Sequence, residues 1–112
     1  MSETKRNIAQ TALMAVSSSQ IYAIGHNAEA KILTVQFSKR EGGNIVGGGS
    51  VYQYANVETS KHDAFMDSES KGKFFGEHIK PMESVHPFIK LEPHEIDQHI
   101  TLPAQEPEPQ AA

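Results

Sequence analysis

The order of periodicities along the chain constrains its fold more than any other feature. Residues 32–37 alternate, so that Leu33, Val35 and Phe37 share one face of a strand. Residues 19–25 and 51–57 are rich in β-branched and aromatic residues and predict a strand on either side. Because turn-sized connections join these strands, the first of them at 25–27, we expect an antiparallel meander.

A glycine-rich segment separates the second and third predicted strands. Residues 38–49 contain five glycines. Ile45 and Val46 fit an extended hairpin, but the flanking glycines favour a mobile loop that is free to close over a ligand with Lys39 or Arg40. The segment lacks the Gly-Lys-Ser/Thr ending of a P-loop and leads into no helix.

After Val57 the pattern changes to a helical one. Thr59 or Ser60 is placed to cap a first helix, and Gly72 to end it. A second short helix is predicted over 73–79, ended by Pro81. The predicted fold class is therefore α+β: a three-stranded antiparallel β-meander followed by two short helices packed on one face.

Charge and proline content divide the chain into three parts. Four of the 14 acidic residues and none of the 10 basic residues lie from His94 onward, so the rest of the chain has ten of each. This acidic, proline-rich stretch predicts a disordered tail. We expect an N-terminal extension over 1–13, a β-β-β-α-α domain over 14–93 and a disordered tail over 94–112. A near-neutral domain disfavours long DNA as a partner, since that affinity grows with the phosphates neutralised.

Four segments together resemble a known family. They are SSSQIYAIGHN, ILTVQF, VYQYANV and SKGKFFGEHIKP, which span roughly residues 14–81. With Tyr52 and Tyr54 at the centre of the third, this order is similar to the KTSC domain family. That short module is named for the C-terminus of some lysyl-tRNA synthetases and also occurs as stand-alone bacterial and phage proteins. The resemblance implies the β-β-β-α-α fold, with RNA binding as a suggested activity. The insertion at 39–49 and the acidic tail depart from the family pattern.

Two groups of residues are candidates for binding. Tyr52 and Tyr54 lie two apart on a strand, so both rings emerge on one face. They form either a stacking platform for bases or part of the core or of a subunit contact. Residues 70–73 lie where the second helix begins, and the helix dipole there favours an anion. The alternative for this group is solvated lysines beside an ordinary cap. The full set of candidate ligand-binding residues is Tyr52, Tyr54, Ser70, Lys71, Gly72, Lys73, His78 and Arg40.

Other classes of protein find little support in the sequence. The six histidines show no spacing typical of a metal site, and there is no cysteine. No Gly-x-Ser-x-Gly elbow or separated acid–base pair indicates an enzyme, and we expect no cofactor. No stretch approaches the roughly 20 apolar residues of a membrane span, and the first 13 residues show no secretory signal. We therefore expect a cytoplasmic protein without a membrane partner, in the host cytoplasm if a phage encodes it.

Two functions follow as hypotheses. The first is a non-catalytic nucleotide-binding module for a small or cyclic nucleotide or short RNA, for example a phage sponge that sequesters a nucleotide defence signal. The second is an assembly module that homo-oligomerises through its sheet. An uncovered sheet face and two edges would invite pairing, with Tyr52, Tyr54, Ile21 and Ile24 at the interface. The two are compatible, since pockets often lie between subunits.

Overall fold

A computed structural model describes residues 8–16, 18, 20–80 and 84–102 of the chain. The described residues form seven strands and three helices. In chain order these are β1 (Thr11–Ala12), β2 (Met14–Ala15), β3 (Ile21–Asn27), β4 (Ile32–Glu41), β5 (Asn44–Tyr54), α1 (Thr59–Asp67), α2 (Lys71–His78), β6 (Phe88–Lys90), α3 (Pro93–His99) and β7 (Ile100–Thr101).

The main sheet is antiparallel and has the order β2-β3-β4-β5-β6. The three predicted strands correspond to β3, β4 and β5, so the α+β class is confirmed. The prediction of three strands is wrong, because β2 and β6 add one short strand at each edge. The predicted turn at 25–27 is also wrong, since these residues pair with residues 32–34 of β4 and the chain turns at 28–31 instead.

The glycine-rich segment forms a hairpin instead of the expected loop. Glu41 pairs with Asn44, which leaves Gly42 and Gly43 as a two-residue turn with φ of 58° and 84°. Positive φ at both positions is the geometry of a type I′ turn, whose twist matches that of antiparallel strands and which glycine adopts without strain. The glycines therefore make the turn instead of loosening the segment.

The two helices begin close to where the sequence predicts but are divided differently. The first begins at Thr59, and its N-cap is Glu58, so the prediction that Thr59 or Ser60 caps it is wrong. It ends near Ser68, whose hydroxyl donates to the Phe65 carbonyl at 2.7 Å. Gly72 does not end it, as predicted, but lies inside α2, which starts at Lys71 with Ser70 as its cap. Pro81, predicted to end the second helix, lies outside the described residues. Within the described part, no helix is long and apolar enough to cross a membrane.

The larger apolar cluster lies between the sheet and the first two helices. Leu33 and Val35 of β4 are buried there with Phe65 and Phe75 of the helices. Phe37 packs against the cluster as well, which confirms the predicted common face of Leu33, Val35 and Phe37. Ile21 and Ile24 also belong to this cluster. Their side chains are buried, so they are not surface residues available to a partner, contrary to the expectation.

The opposite face of the sheet is covered as well. Its second apolar cluster joins Leu13, Ala23, Val51, Leu91 and Ile100. The covering segments are the N-terminal residues and α3, held together by the parallel pairing of β1 with β7. Residues 94–101 therefore form a helix and a strand, and the prediction of disorder for them is wrong; residues 103–112 lie outside the described part. The expectation of an uncovered face is wrong for the same reason.

Helix α3 forms because its first turn is favourable for a helix. Pro93 stands at the start, where its fixed φ suits a helix and its missing N–H is not needed. The backbone N–H of Glu92 donates to Glu95 Oε1 at 2.7 Å, as in a capping box. Proline in this position begins a helix, whereas the composition of the segment as a whole predicts disorder.

A buried polar network ties the N-terminal segment to the sheet. The side-chain amide of Gln53 donates to Ala9 O at 2.9 Å and accepts from Ala9 N at 3.2 Å. It also donates to the hydroxyl of Thr34 at 3.1 Å, and that hydroxyl donates to Thr11 at 3.2 Å. The side chain of Gln53 thus donates to and accepts from the backbone of Ala9, as a peptide group of a neighbouring strand would. This pair of hydrogen bonds fixes the position of the N-terminal segment.

Candidate ligand-binding cleft

A cleft with a volume of about 790 Å³ lies beside α2, on the side of the sheet that α1 and α2 cover. Strands β4, β5 and β6 contribute one side of it, and Gly72, Phe75 and Gly76 of α2 contribute the other. The base of the β4–β5 hairpin, with Ser38, Lys39, Gly49 and Ser50, forms part of the wall.

Aromatic rings dominate the cleft. Tyr52 packs edge to face with Phe37 at a centroid distance of 5.5 Å and with Phe88 at 5.7 Å. Tyr54 lies behind them, 6.4 Å from Tyr52 and 5.3 Å from Phe75 of α2. Only 5% of Tyr54 is exposed, whereas Tyr52 and Phe37 are half-buried and 45% of Phe88 is exposed. The rings most available to a planar ligand are thus those of Phe37, Tyr52 and Phe88.

The charge of the cleft is positive. Lys39 and Lys80 line it, and none of its described lining residues is an aspartate or glutamate. An ammonium near low-dielectric aromatic walls attracts an anion, and no carboxylate is present in the described lining to offset it. The cleft therefore combines surface suited to an aromatic ring with charge suited to an anion.

A second, polar pocket of about 400 Å³ adjoins the cleft at the start of α2. Ser70, Lys71 and Lys73 line it together with the acidic Glu69, and Gln20 and Gly72 line both pockets. The Ser70 hydroxyl accepts from the Lys73 backbone N–H at 3.3 Å, which satisfies one of the free N–H groups of this helix start. The Lys71 ammonium donates to Ser68 O at 2.8 Å.

Gly72 allows the two pockets to meet. A Cβ atom at this position would lie 2.5 Å from Oε1 of Gln20, so a larger residue would displace that side chain. Gln20 consequently stands directly over the helix start, between the aromatic cleft and the lysine pocket.

The structure brings six of the eight predicted binding residues to these two pockets. Tyr52 and Tyr54 are in the cleft; Ser70, Lys71 and Lys73 are in the polar pocket; Gly72 is in both. His78 is not brought to either, since its ring lies 4.6 Å from that of Phe74 on the outer part of α2. Arg40 is also outside both, on the hairpin, where it donates to Gly43 O at 3.4 Å.

Burial alters the titration of two groups near these elements. It raises the pKa of Tyr54 well above its ordinary value, and the neighbouring Tyr52 adds to the effect. The Tyr54 phenol therefore resists ionisation even in alkaline solution. On α1, burial lowers the pKa of His62, as does His26, whose ring stacks on it at 4.8 Å, while Asp63 opposes the shift.

Several residues of the cleft could not be found from local patterns. Lys80, Gln20 and Phe88 come from three separate segments that meet only in the folded chain. Phe37 did carry a signal, because its alternation with Leu33 and Val35 places it on the apolar face of its strand. Among the described residues, no group of three histidine, aspartate or glutamate side chains is arranged to hold a metal ion.

Comparison with known proteins places this fold in a family. The class is that of small α+β domains with an antiparallel sheet and helices packed on it. The KTSC domain model matches residues 17–82. The crystal structure of a KTSC domain protein from Yersinia pestis is similar, with 34% sequence identity and a TM-score of 0.58, over 73% of this chain and 99% of that one. No curated protein matches the chain. The chain belongs to the KTSC domain family.

The family match also divides the structure. Strands β3–β5 and helices α1 and α2 fall within residues 17–82, whereas β1, β2, β6, α3 and β7 lie outside that range. The predicted β-β-β-α-α order is thus the part that the family model covers. The outer segments add the two edge strands and cover the second face.

Proposed function

We propose that this chain is a non-catalytic nucleotide-binding module that holds a small or cyclic nucleotide, or a short RNA, in the cleft beside α2. The observation that carries the proposal is the pairing of exposed aromatic rings with lysines and no carboxylate in the described lining of the cleft. A nucleotide has the matching pair of groups, a planar base and an anionic phosphate.

The phosphate has two candidate positions. Lys39 and Lys80 are in the cleft itself, and Lys71 and Lys73 are in the adjoining pocket at the start of α2. Because Gln20 and Gly72 line both pockets, a ligand with its base on Tyr52 can extend its phosphate across Gly72 towards the helix start. The helix dipole favours an anion at that end.

The chemistry of the lining favours binding over turnover. The described lining residues of the cleft include no histidine, aspartate or glutamate to act as a general base at neutral pH. A protein that binds a nucleotide without consuming it is suited to sequestration, as a phage sponge would require.

The direct test is to denature the purified protein by heat and identify any released nucleotide by mass spectrometry. In parallel, thermal unfolding is measured with the nucleoside mono- and diphosphates, cyclic dinucleotides and a tetranucleotide RNA. A released or stabilising nucleotide supports the proposal. No released nucleotide together with no stabilisation by any member of the panel refutes it.

Matched lysine variants locate the phosphate. Lys71→Ala/Lys73→Ala is expected to weaken binding of the nucleotide found above. The loss of the hydrogen bond from Lys71 to Ser68 O costs about 1 kcal/mol of stability, so the variant stays folded. Lys31→Ala is the control, because Lys31 lines neither pocket and its surface ion pair with Glu58 contributes little. If the double variant binds as the wild type does, the phosphate is not at the helix start, and Lys39→Ala and Lys80→Ala test the cleft itself.

A second candidate function is assembly, and the hairpin is the observation that favours it. Ile45 and Val46 are both more than 40% exposed near its turn. Adjacent exposed apolar side chains on a projecting strand pair are typical of a contact surface. Size-exclusion chromatography of the wild type and of Ile45→Ser/Val46→Ser tests this: a smaller apparent size for the variant supports it, and a monomeric wild type refutes it.

A further inference from the structure

Phe88 is placed where a ligand of the cleft would meet it. It lies on the short edge strand β6, opposite Tyr54 in the ladder, with the two rings 5.6 Å apart. It also packs edge to face with Tyr52 at 5.7 Å. The ring of Phe88 is apolar, yet 45% of the residue is exposed where it lines the cleft. Filling the cleft with a planar group would cover this apolar surface.

The segment before β6 is fixed to the rest of the fold by a buried histidine. His86 is 3% exposed, and its Nδ1 donates to Ala55 O at 2.9 Å. Its Nε2 lies 2.9 Å from the Lys61 ammonium of α1, which can only donate, so Nε2 is the acceptor and Nδ1 carries the proton. Ala55 N also donates to Pro87 O at 2.9 Å.

These contacts hold Phe88 through its neighbours in sequence. His86 and Pro87, which lie two residues and one residue before Phe88, anchor the chain to the end of β5 and to α1. The residues 84–90, which we call the Phe88 segment, lie outside the family match at 17–82. One side of the aromatic cleft is therefore supplied by a part of the chain that the family model does not cover.

We infer that Phe88 is a ligand-contacting residue of the cleft, that His86 positions it, and that the two give the site a preference for purine nucleotides. This inference rests on the proposed function, because it concerns the base of the same nucleotide. A purine offers two fused rings, so it contacts both Tyr52 and Phe88 over more area than a single pyrimidine ring does. Stacking on the rings of Tyr52 and Phe88 does not distinguish the hydrogen-bonding groups of the bases. Adenine and guanine therefore bind comparably at this position.

The test compares Phe88→Leu with Phe88→Trp by calorimetric titration of ADP and CDP. Leucine keeps an apolar side chain against Tyr54 but removes the ring, so ADP binds about 5- to 100-fold more weakly. Tryptophan retains a ring and restores ADP binding to within a few-fold of the wild type. Val85→Ala is the control, since Val85 is exposed in the same segment but does not line the cleft. Thermal unfolding of each variant establishes that it is folded.

The positioning role of His86 requires a double-mutant cycle. His86→Leu removes both of its hydrogen bonds and lowers ADP affinity while Phe88 is present. In the Phe88→Leu background the same change has no further effect on affinity, because there is no ring left to position. A purely structural role for His86 would instead lower affinity equally in both backgrounds.

The possible outcomes distinguish a failure of this inference from a failure of the proposed function on which it rests. Weaker ADP binding by Phe88→Leu, rescue by tryptophan and loss of the ADP-over-CDP preference support it. A wild type that binds ADP while Phe88→Leu binds it equally well overturns the inference and leaves the proposed function standing. A wild type that binds no nucleotide of the panel overturns both.

Discussion

Gly25 is the residue whose substitution tests the packing of the second face most sharply. It lies in β3, buried, with the N-terminal segment directly against it. A Cβ atom at this position would clash with Ala12 O and would lie 2.7 Å from Leu13 Cδ2 and 2.7 Å from Thr11 Cγ2. One of these atoms is a backbone carbonyl of the β1 segment, so a rotamer change alone cannot relieve the contact. Gly25→Ala therefore pushes the segment away from the sheet.

The magnitude follows from two opposing terms. Overpacking a well-filled interior costs about 1–3 kcal/mol, and a contact with backbone places this case in the upper part of that range. Alanine recovers about 0.5–1 kcal/mol, because glycine loses more backbone entropy in a strand. The net loss in the free energy of unfolding is then roughly 2 kcal/mol, which for a domain of this size lowers the melting temperature by on the order of 10 °C.

Equilibrium urea unfolding of the wild type and Gly25→Ala measures this loss. Gly76→Ala is the matched control, since its Cβ would meet none of the described atoms within 4 Å and it lies inside α2. Alanine there raises stability by about 0.5–1 kcal/mol through helix propensity. A Gly25→Ala protein as stable as the wild type would refute the close packing of residues 11–13 on β3, and a loss at Gly76 equal to that at Gly25 would show that crowding is not the cause.

Three further predictions concern stability. Stability falls as pH drops below 6.5, because burial and His26 lower the pKa of His62 from 6.5, so the unfolded chain binds the proton more tightly. Urea unfolding over a pH series measures how steeply the free energy of unfolding falls, and this dependence is smaller in His62→Gln. Stability also falls as pH rises above 10, since burial raises the pKa of Tyr54 above its ordinary 10.0 and only the unfolded chain ionises there. In urea unfolding at alkaline pH, Tyr54→Phe removes this loss of stability. Gln53→Leu costs about 1–3 kcal/mol in urea unfolding, because it leaves the backbone groups of Ala9 without their partner; an unchanged midpoint would contradict the network.

Local sequence patterns correctly predicted the strands and helices that depend only on residues close together in the chain. The alternation of residues 32–37 gives β4, and the change of pattern after Val57 gives the start of α1. They failed where a residue type has two uses. Gly42 and Gly43 close a tight turn instead of loosening a loop, and Pro93 begins a helix instead of marking a disordered tail.

The candidate site was predicted in part for the same reason. Tyr52 and the residues at 70–73 are recognisable because strand alternation and helix starts are local features. Tyr54 shares the strand face of Tyr52, yet only the position of Phe75 on α2 shows that its ring is buried. Phe88 has no local signal, because its place in the cleft depends on the pairing of β6 with β5.

The sequence by itself determined the family, the α+β class and the central strands and helices, since these depend on side-chain period and on motifs within a few residues. Only the tertiary structure decided that both faces of the sheet are covered, which tyrosine is accessible and which lysines share a cleft. Those properties are set by contacts between segments far apart in the chain, such as Gln53 with Ala9 or His86 with Lys61. No short window of sequence contains both partners of such a contact, so burial and site composition emerge only when the chain is folded.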